Sequence, residues 1–269
     1  MRSTLALAAA LLASLTLAAC SGGDSVSLES VADAATRTES AGSSRMALVM
    51  SMDVQGKRFD VLAEGAFDYK RSRGWMDMDL SSMGAAGGAP GFDEPVRMLV
   101  DGGQFWMRVP PAMRAETGGK AWAKVSGGVT SLGAGMQSPD PSSMLDQLRG
   151  VTDELENRGS VEVRGVSTTH YHTNLDLAKA MEGAPQAERE QMEAMLKLLG
   201  SSVDMPVDVY IDDADRVRRM DMSYEFDMFG QKMSIALKME LFDFGTRVAF
   251  KRPPASQVAE LSSLSGSGG

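Results

Sequence analysis

The feature that most narrows the possible folds is a long alternation of apolar and polar residues near the C-terminus. Met220, Met222, Tyr224, Phe226 and Met228 alternate with Asp221, Ser223, Glu225 and Asp227. After a turn at Phe229-Gly230-Gln231-Lys232, Met233, Ile235, Leu237, Met239 and Leu241 alternate with Ser234, Ala236, Lys238 and Glu240. Successive side chains of a strand point to opposite faces, so each run reads as a strand with one apolar face. The pattern recurs near the N-terminus, where Met46, Leu48, Met50, Met52 and Val54 share one face. Phe59, Val61 and Ala63 begin a further strand. Met76, Met78 and Leu80 mark another, with Asp77 and Asp79 on its polar side. Strands of this kind belong to an antiparallel sheet with one face on the core. No helix recurs between them, which argues against a parallel βαβ sheet.

The remaining segments fit the same α+β reading. Leu28–Thr38 has helical spacing, with Ser27 as N-cap and Leu28, Val31, Ala32 and Ala35 on one face. Asp101-Gly102-Gly103 between Val96–Val100 and Gln104–Val109 predicts a hairpin. Trp122-Ala123-Lys124-Val125 is a short strand, and Ser160–Leu177 reads as one or two strands bent near Gly165. Val207, Val209 and Ile211 precede a turn at Asp212-Asp213-Ala214-Asp215, and Thr246–Phe250 reads as a last strand. Helices are expected from Asp140 to Leu148 and from Pro185 to Leu199, the second with an apolar stripe of Met192, Met195, Leu196 and Leu199. Ser81–Pro95, rich in Gly, Ala and Pro, is expected to be a mobile loop.

The first twenty residues carry a different message. Arg2 precedes an apolar stretch from Leu5 to Leu17, too short to span a bilayer as a stable helix, and the segment ends Leu17-Ala18-Ala19-Cys20. This resembles the box at which bacterial lipoproteins are acylated and cleaved. A small residue admits the peptidase, and the thiol takes a diacylglyceryl group as a thioether. Cys20 is the only cysteine in the chain. It leaves no intramolecular disulfide and no Cys-based zinc cluster. Residues 1–19 therefore read as a leader, and residues 20–26 as an acylated cysteine with a flexible tether. Two acyl chains would supply the double signal that stable anchoring needs.

Charge narrows the partners. Losing residues 1–19 removes Arg2 alone, so 26 basic against 36 acidic side chains leave the rest at −10. That balance argues against a nucleic-acid partner and against a polybasic membrane contact. No later stretch reaches the length of an apolar membrane span.

Three segments then resemble a known group together. They are Gly165-Val166-Ser167-Thr168-Thr169-His170-Tyr171 with Asn174-Leu175-Asp176-Leu177, Met205–Asp212 with Asp215–Met220, and Trp122–Val125. With the lipobox, they resemble the actinobacterial LppX/LprA/LprF/LprG-like lipoproteins, relatives by fold of the LolA and LolB carriers. The resemblance implies a single large curved antiparallel sheet, a half-barrel, over residues 27–255. Helices would cover its concave apolar face around a cavity, and residues 256–269 would form a disordered tail. It implies binding of an acylated lipid or glycolipid outside the cytoplasmic membrane, without catalysis and without a cofactor. The chain departs from the group in its 21 methionines and in the loop Ser81–Pro95.

The expected cavity lining is Met46, Leu48, Met50, Met52, Met76, Met78, Leu80, Met220, Met222, Tyr224, Phe226, Met233, Ile235, Leu237 and Met239. The same residues could serve as plain core, because Met fills gaps between sheet and helix as readily as it adapts to a ligand. A lipid carrier and a ligand-free interaction or sensing module on the same scaffold both remain open. Copper capture by thioethers would need Met clustered on an accessible surface, and these alternate with Asp and Ser. His170 and His172 share a strand face and read as surface histidines, with Asp176 a third metal ligand only in principle. Asp208, Asp212, Asp213 and Asp215 crowd one turn without the Gly and bidentate Glu of an EF-hand. Arg216, Arg218 and Arg219 could meet an anionic head group but read first as a solvated cluster. No Gly-x-Ser-x-Gly elbow occurs, and no other catalytic set emerges. The expected protein is a lipid-anchored monomer on the outer side of the cytoplasmic membrane.

Overall fold

The computed structural model describes residues 28–54, 56–82, 94–126, 155–176, 204–228 and 231–262. The leader, Cys20, the centre of the loop Ser81–Pro95 and both expected helices, 140–148 and 185–199, lie outside these residues. Helix α1 (Leu28–Ser40) is followed by β1 (Ser43–Val54), β2 (Lys57–Asp68), β3 (Arg73–Asp79), β4 (Val96–Asp101), β5 (Gln104–Arg108) and β6 (Trp122–Ser126). Then come β7 (Glu156–Val163), β8 (Val166–Asp176), β9 (Asp204–Asp212), β10 (Val217–Met228), β11 (Gln231–Phe242) and β12 (Val258–Ser262). Among the described residues, these twelve strands form one open sheet, in the order β12-β6-β5-β4-β3-β2-β1-β11-β10-β9-β8-β7.

Two meanders meet at the centre. The chain steps outward from β1 to β6, then returns inward from β7 to β11, where β11 pairs antiparallel with β1. The longest alternating runs, β1, β10 and β11, are therefore neighbours. Their register places Met46 opposite Leu241, Leu48 opposite Met239, Met50 opposite Leu237 and Met220 opposite Met239. Turn chemistry closes the hairpins. Gly102 and Gly103, with φ of 57° and 78°, take the left-handed conformation that a two-residue hairpin turn requires. Gly65 and Gly74 serve close approach instead. A Cβ at Gly65 would lie 2.4 Å from the Trp75 carbonyl oxygen, and one at Gly74 2.6 Å from that of Ala66. Glycine at such contacts lets a sheet curl.

The inner face packs on α1. Val31, Ala34 and Ala35 are buried against Met46, Met220, Met239 and Leu241 from the central strands and Phe67 from β2. The small alanines allow the helix to sit close to the sheet. Thr38 pins it there: its buried hydroxyl donates to the Ala34 carbonyl (2.7 Å) and accepts from the Val217 amide (3.0 Å) at the bulged start of β10. The outer face is a mosaic of cross-strand charge pairs. Arg97 makes two 2.6 Å hydrogen bonds to Asp77 and lies 4.9 Å over the Trp75 ring.

Of the two alternatives for Ser160–Leu177, the structure takes two strands, the hairpin of β7 and β8 turning at Arg164-Gly165. Two other expectations change. Thr246–Phe250 is not a strand. It belongs to an extended connection out of β11, held by Ser43 Oγ donating to the Thr246 carbonyl and by Arg73 over Phe250. Past Pro253 and Pro254, Val258–Ser262, within the segment 256–269 expected as a disordered tail, forms β12. It pairs parallel with β6, and Lys120 Nζ donates to the Val258 carbonyl at 2.9 Å. The physical reason is the β6 edge, whose unpaired backbone groups accept a strand too short to announce itself by periodicity. Among the described residues, no helix is long and apolar enough to cross a membrane.

Candidate functional site

The residues expected to line a cavity stand at register positions of one face. On β1, β10 and β11, Met46, Met220 and Met239 are no more than 3 % exposed. Farther along the same strands the face opens: Leu48, Met50, Met52, Met222, Met233, Ile235 and Leu237 are only half-buried. Tyr224 and Phe226 occupy register positions opposite Ile235 and Met233. On the neighbouring wing Met76 and Met78 are buried and Leu80 is half-buried. The inner face thus grades from packed core under α1 to a partly open apolar floor towards the β1–β2 and β10–β11 turns. Met98 on β4 and Met107 on β5 belong to this face and were not anticipated. Their signal was present in the alternation of Val96, Met98 and Val100 beside the Asp-Gly-Gly turn.

The outer face behaves differently. Asp208 Oδ1 accepts hydrogen bonds from His170 Nε2 (2.6 Å) and His172 Nδ1 (2.9 Å); an ionised carboxylate only accepts, so both imidazoles donate. Tyr210 stacks on His170 with ring centroids 4.5 Å apart. Burial pushes the Asp208 carboxyl up, but the two imidazole bonds outweigh it and hold the group below the usual carboxylate range. Asp176 stands at the register position opposite Asp204, four residues along the strand from His172. Among the described residues, no group of three His, Cys, Asp or Glu side chains is arranged to hold a metal ion.

The acidic turn divides. Asp213 and Asp215 are exposed, whereas Asp212 is buried and gathers Arg216 (3.0 Å) and Arg218 (2.6 Å) on its Oδ2. Burial raises its carboxyl, and hydrogen bonds from the Arg216 backbone amide and both guanidinium groups outweigh that and lower it. Arg219 pairs with Asp221 and lies 4.8 Å over the Tyr210 ring. All three arginines suggested for a head group are thus engaged within the sheet. A shallow depression of about 300 Å³ is lined mainly from this polar side, by Ser51, Arg58, Asp208, Arg219, Asp221 and Lys238 among others, and also by Met222 and Leu237. Its charged groups are already paired within the sheet, and of the apolar floor it touches Met222 and Leu237 alone.

An open sheet of twelve strands, apolar on one face and helix-covered at one end, defines a half-barrel of the α+β class. No family model matches the chain. An uncharacterized 31.2 kDa protein from the rplA–rplJ intergenic region of Streptomyces griseus is 25 % identical over 244 residues, covering 85 % of this chain and 75 % of that protein. Among solved structures, the Mycobacterium tuberculosis lipoprotein LppX is similar at 13 % identity, covering 82 % of this chain and 96 % of that one, with a TM-score of 0.48. LprF from Mycobacterium bovis is similar at 14 % identity, covering 84 % and 96 %, with a TM-score of 0.44.

Proposed function

We propose that the chain is an acyl-anchored lipoprotein that binds an acylated lipid or another hydrophobic ligand on the open part of its inner face. It would carry or present that ligand outside the cytoplasmic membrane without chemistry. The observation that supports this most is the gradient of burial along β1, β10 and β11. Met46, Met220 and Met239 are sealed under α1, while Met50, Met222 and Leu237 on the same strands keep part of their surface in reach of a ligand. A chain covering about 300 Å² of such surface would gain about 7 kcal/mol from the hydrophobic effect, before the cost of association. Thioethers and unbranched side chains suit an irregular alkyl ligand, because they repack at little cost. Cys20 would hold the protein to the membrane by its acyl chains.

A second reading, a ligand-free interaction module, has its own support: the depression described above is lined mostly by polar groups already paired within the sheet and reaches the apolar floor only at Met222 and Leu237. Titration with a fluorescent fatty acid separates the two. Saturable binding that Leu237→Asp abolishes supports the carrier. No binding by a protein of unaltered melting temperature supports the module.

A further inference from the structure

The register of the inner face sets two half-buried methionines beside Leu237 on the open floor. Met50 on β1 and Met222 on β10 are each directly opposite Leu237 on β11. Directly opposed side chains of an antiparallel pair interact, so two thioethers flank Leu237 across three neighbouring strands at one level. Their exposure is graded. Met46, Met220 and Met239 are sealed, whereas Met50, Met98, Met107 and Met222 are half-buried. The chain holds 21 methionines against one cysteine, and that cysteine is the expected acylation site. Thioether sulfur is therefore the readily oxidised group of the folded body.

We propose that the half-buried methionines, Met50 and Met222 foremost, are oxidation sites that switch the inner face from apolar to polar and so release its ligand. The inference rests on the lipid-binding reading. The co-reactant is a peroxide-class oxidant. The methionine sulfur attacks one peroxide oxygen, an S–O bond forms and the O–O bond breaks. With hydrogen peroxide, the departing hydroxide takes the proton of the transferred oxygen and leaves as water. Sulfur gives up two electrons and the peroxide gains them. The product sulfoxide is polar and can be reversed by a methionine sulfoxide reductase, whose two thiols become a disulfide as the oxygen leaves as water. At Met50 the new oxygen would face Val61 and Leu237 on the flanking strands, and at Met222 it would face Val207 and Leu237. An unpartnered polar group in a ligand's apolar bed is costly, so affinity should fall about tenfold or more.

The test uses the full acylated chain in its own membrane vesicles, treated with dilute hydrogen peroxide and then with a photoactivatable fatty acid, both read by peptide mass mapping. Oxygen addition should reach Met50, Met98, Met107 and Met222 well before Met46, Met220 and Met239. Fatty-acid labelling of the inner-face strands should fall about tenfold after oxidation. The variant with Met50, Met98, Met107 and Met222 all replaced by Leu is read against its own untreated labelling, whatever that level is, and peroxide should not lower it. Labelling absent before oxidation would overturn the lipid-binding reading. Labelling present and unmoved by oxidation, or buried methionines oxidised as fast as half-buried ones, would overturn the switch alone.

Discussion

Replacing Thr38 by Val tests how α1 is fixed over the sheet. Thr38 is 1 % exposed, and its hydroxyl bridges the Ala34 carbonyl to the Val217 amide, 179 residues away in sequence. Val has nearly the same shape and a similar helix propensity, so the substitution opens no cavity and disturbs no turn. What it removes is the acceptor for a fully buried amide. Leaving a buried donor without its partner costs about 1–3 kcal/mol, and a value near 2 kcal/mol is expected. For a domain of this size, that lowers the melting temperature by about 4–8 °C. Differential scanning calorimetry of Thr38→Val and Thr38→Ser beside the parent is the assay. Ser keeps the hydroxyl and should retain most of the lost stability. Should Thr38→Val melt within a degree of the parent, or Ser prove as destabilising as Val, the hydrogen bond does not hold the helix and the packing argument for the sealed end fails.

Asp212→Asn should destabilise by about 3 kcal/mol or more in urea unfolding, because it leaves Arg216 and Arg218 without their shared carboxylate. The lowered carboxyls of Asp208, Asp212 and Glu240 fix the sign of the pH dependence. Their stabilisation is complete above the ordinary carboxylate value of about 4 and is lost as pH falls through the lower folded values. Unfolding midpoints measured from pH 6 downward should therefore drop below about pH 4, and less steeply in Asp212→Asn. Gly65→Ala places a Cβ against the Trp75 carbonyl oxygen and should cost on the order of 2–3 kcal/mol, read from the same urea curves. Cys20→Ala should release the protein from membrane pellets or leave an uncleaved precursor; unchanged retention and processing would refute the anchor.

Much of the sheet was legible because its central strands are long and one face of each is apolar. The runs Met46–Val54, Met220–Met228 and Met233–Leu241 reappear within β1, β10 and β11. Pairing was not legible. Nothing local says that β1 joins β11 rather than stopping at its hairpin with β2, since that contact is decided by the return of the second meander. The strand β12 escaped notice because a five-residue segment borrows its conformation from the β6 edge. Asp212 looked like one acid among four in a turn. Its burial depends on Arg216 and Arg218 folding back onto it, which spacing alone does not reveal. Met98 and Met107 were overlooked for a related reason: short strands carry only two or three alternations each.

The central claim is that the open apolar floor around Met50 and Leu237 holds a lipid. Native mass spectrometry of the full acylated chain, purified in detergent from its own source membranes, tests it most directly. A reproducible adduct of lipid mass, displaced by excess fatty acid and absent from Leu237→Asp, is the expected result. A clean apoprotein that takes up no fatty acid would contradict it.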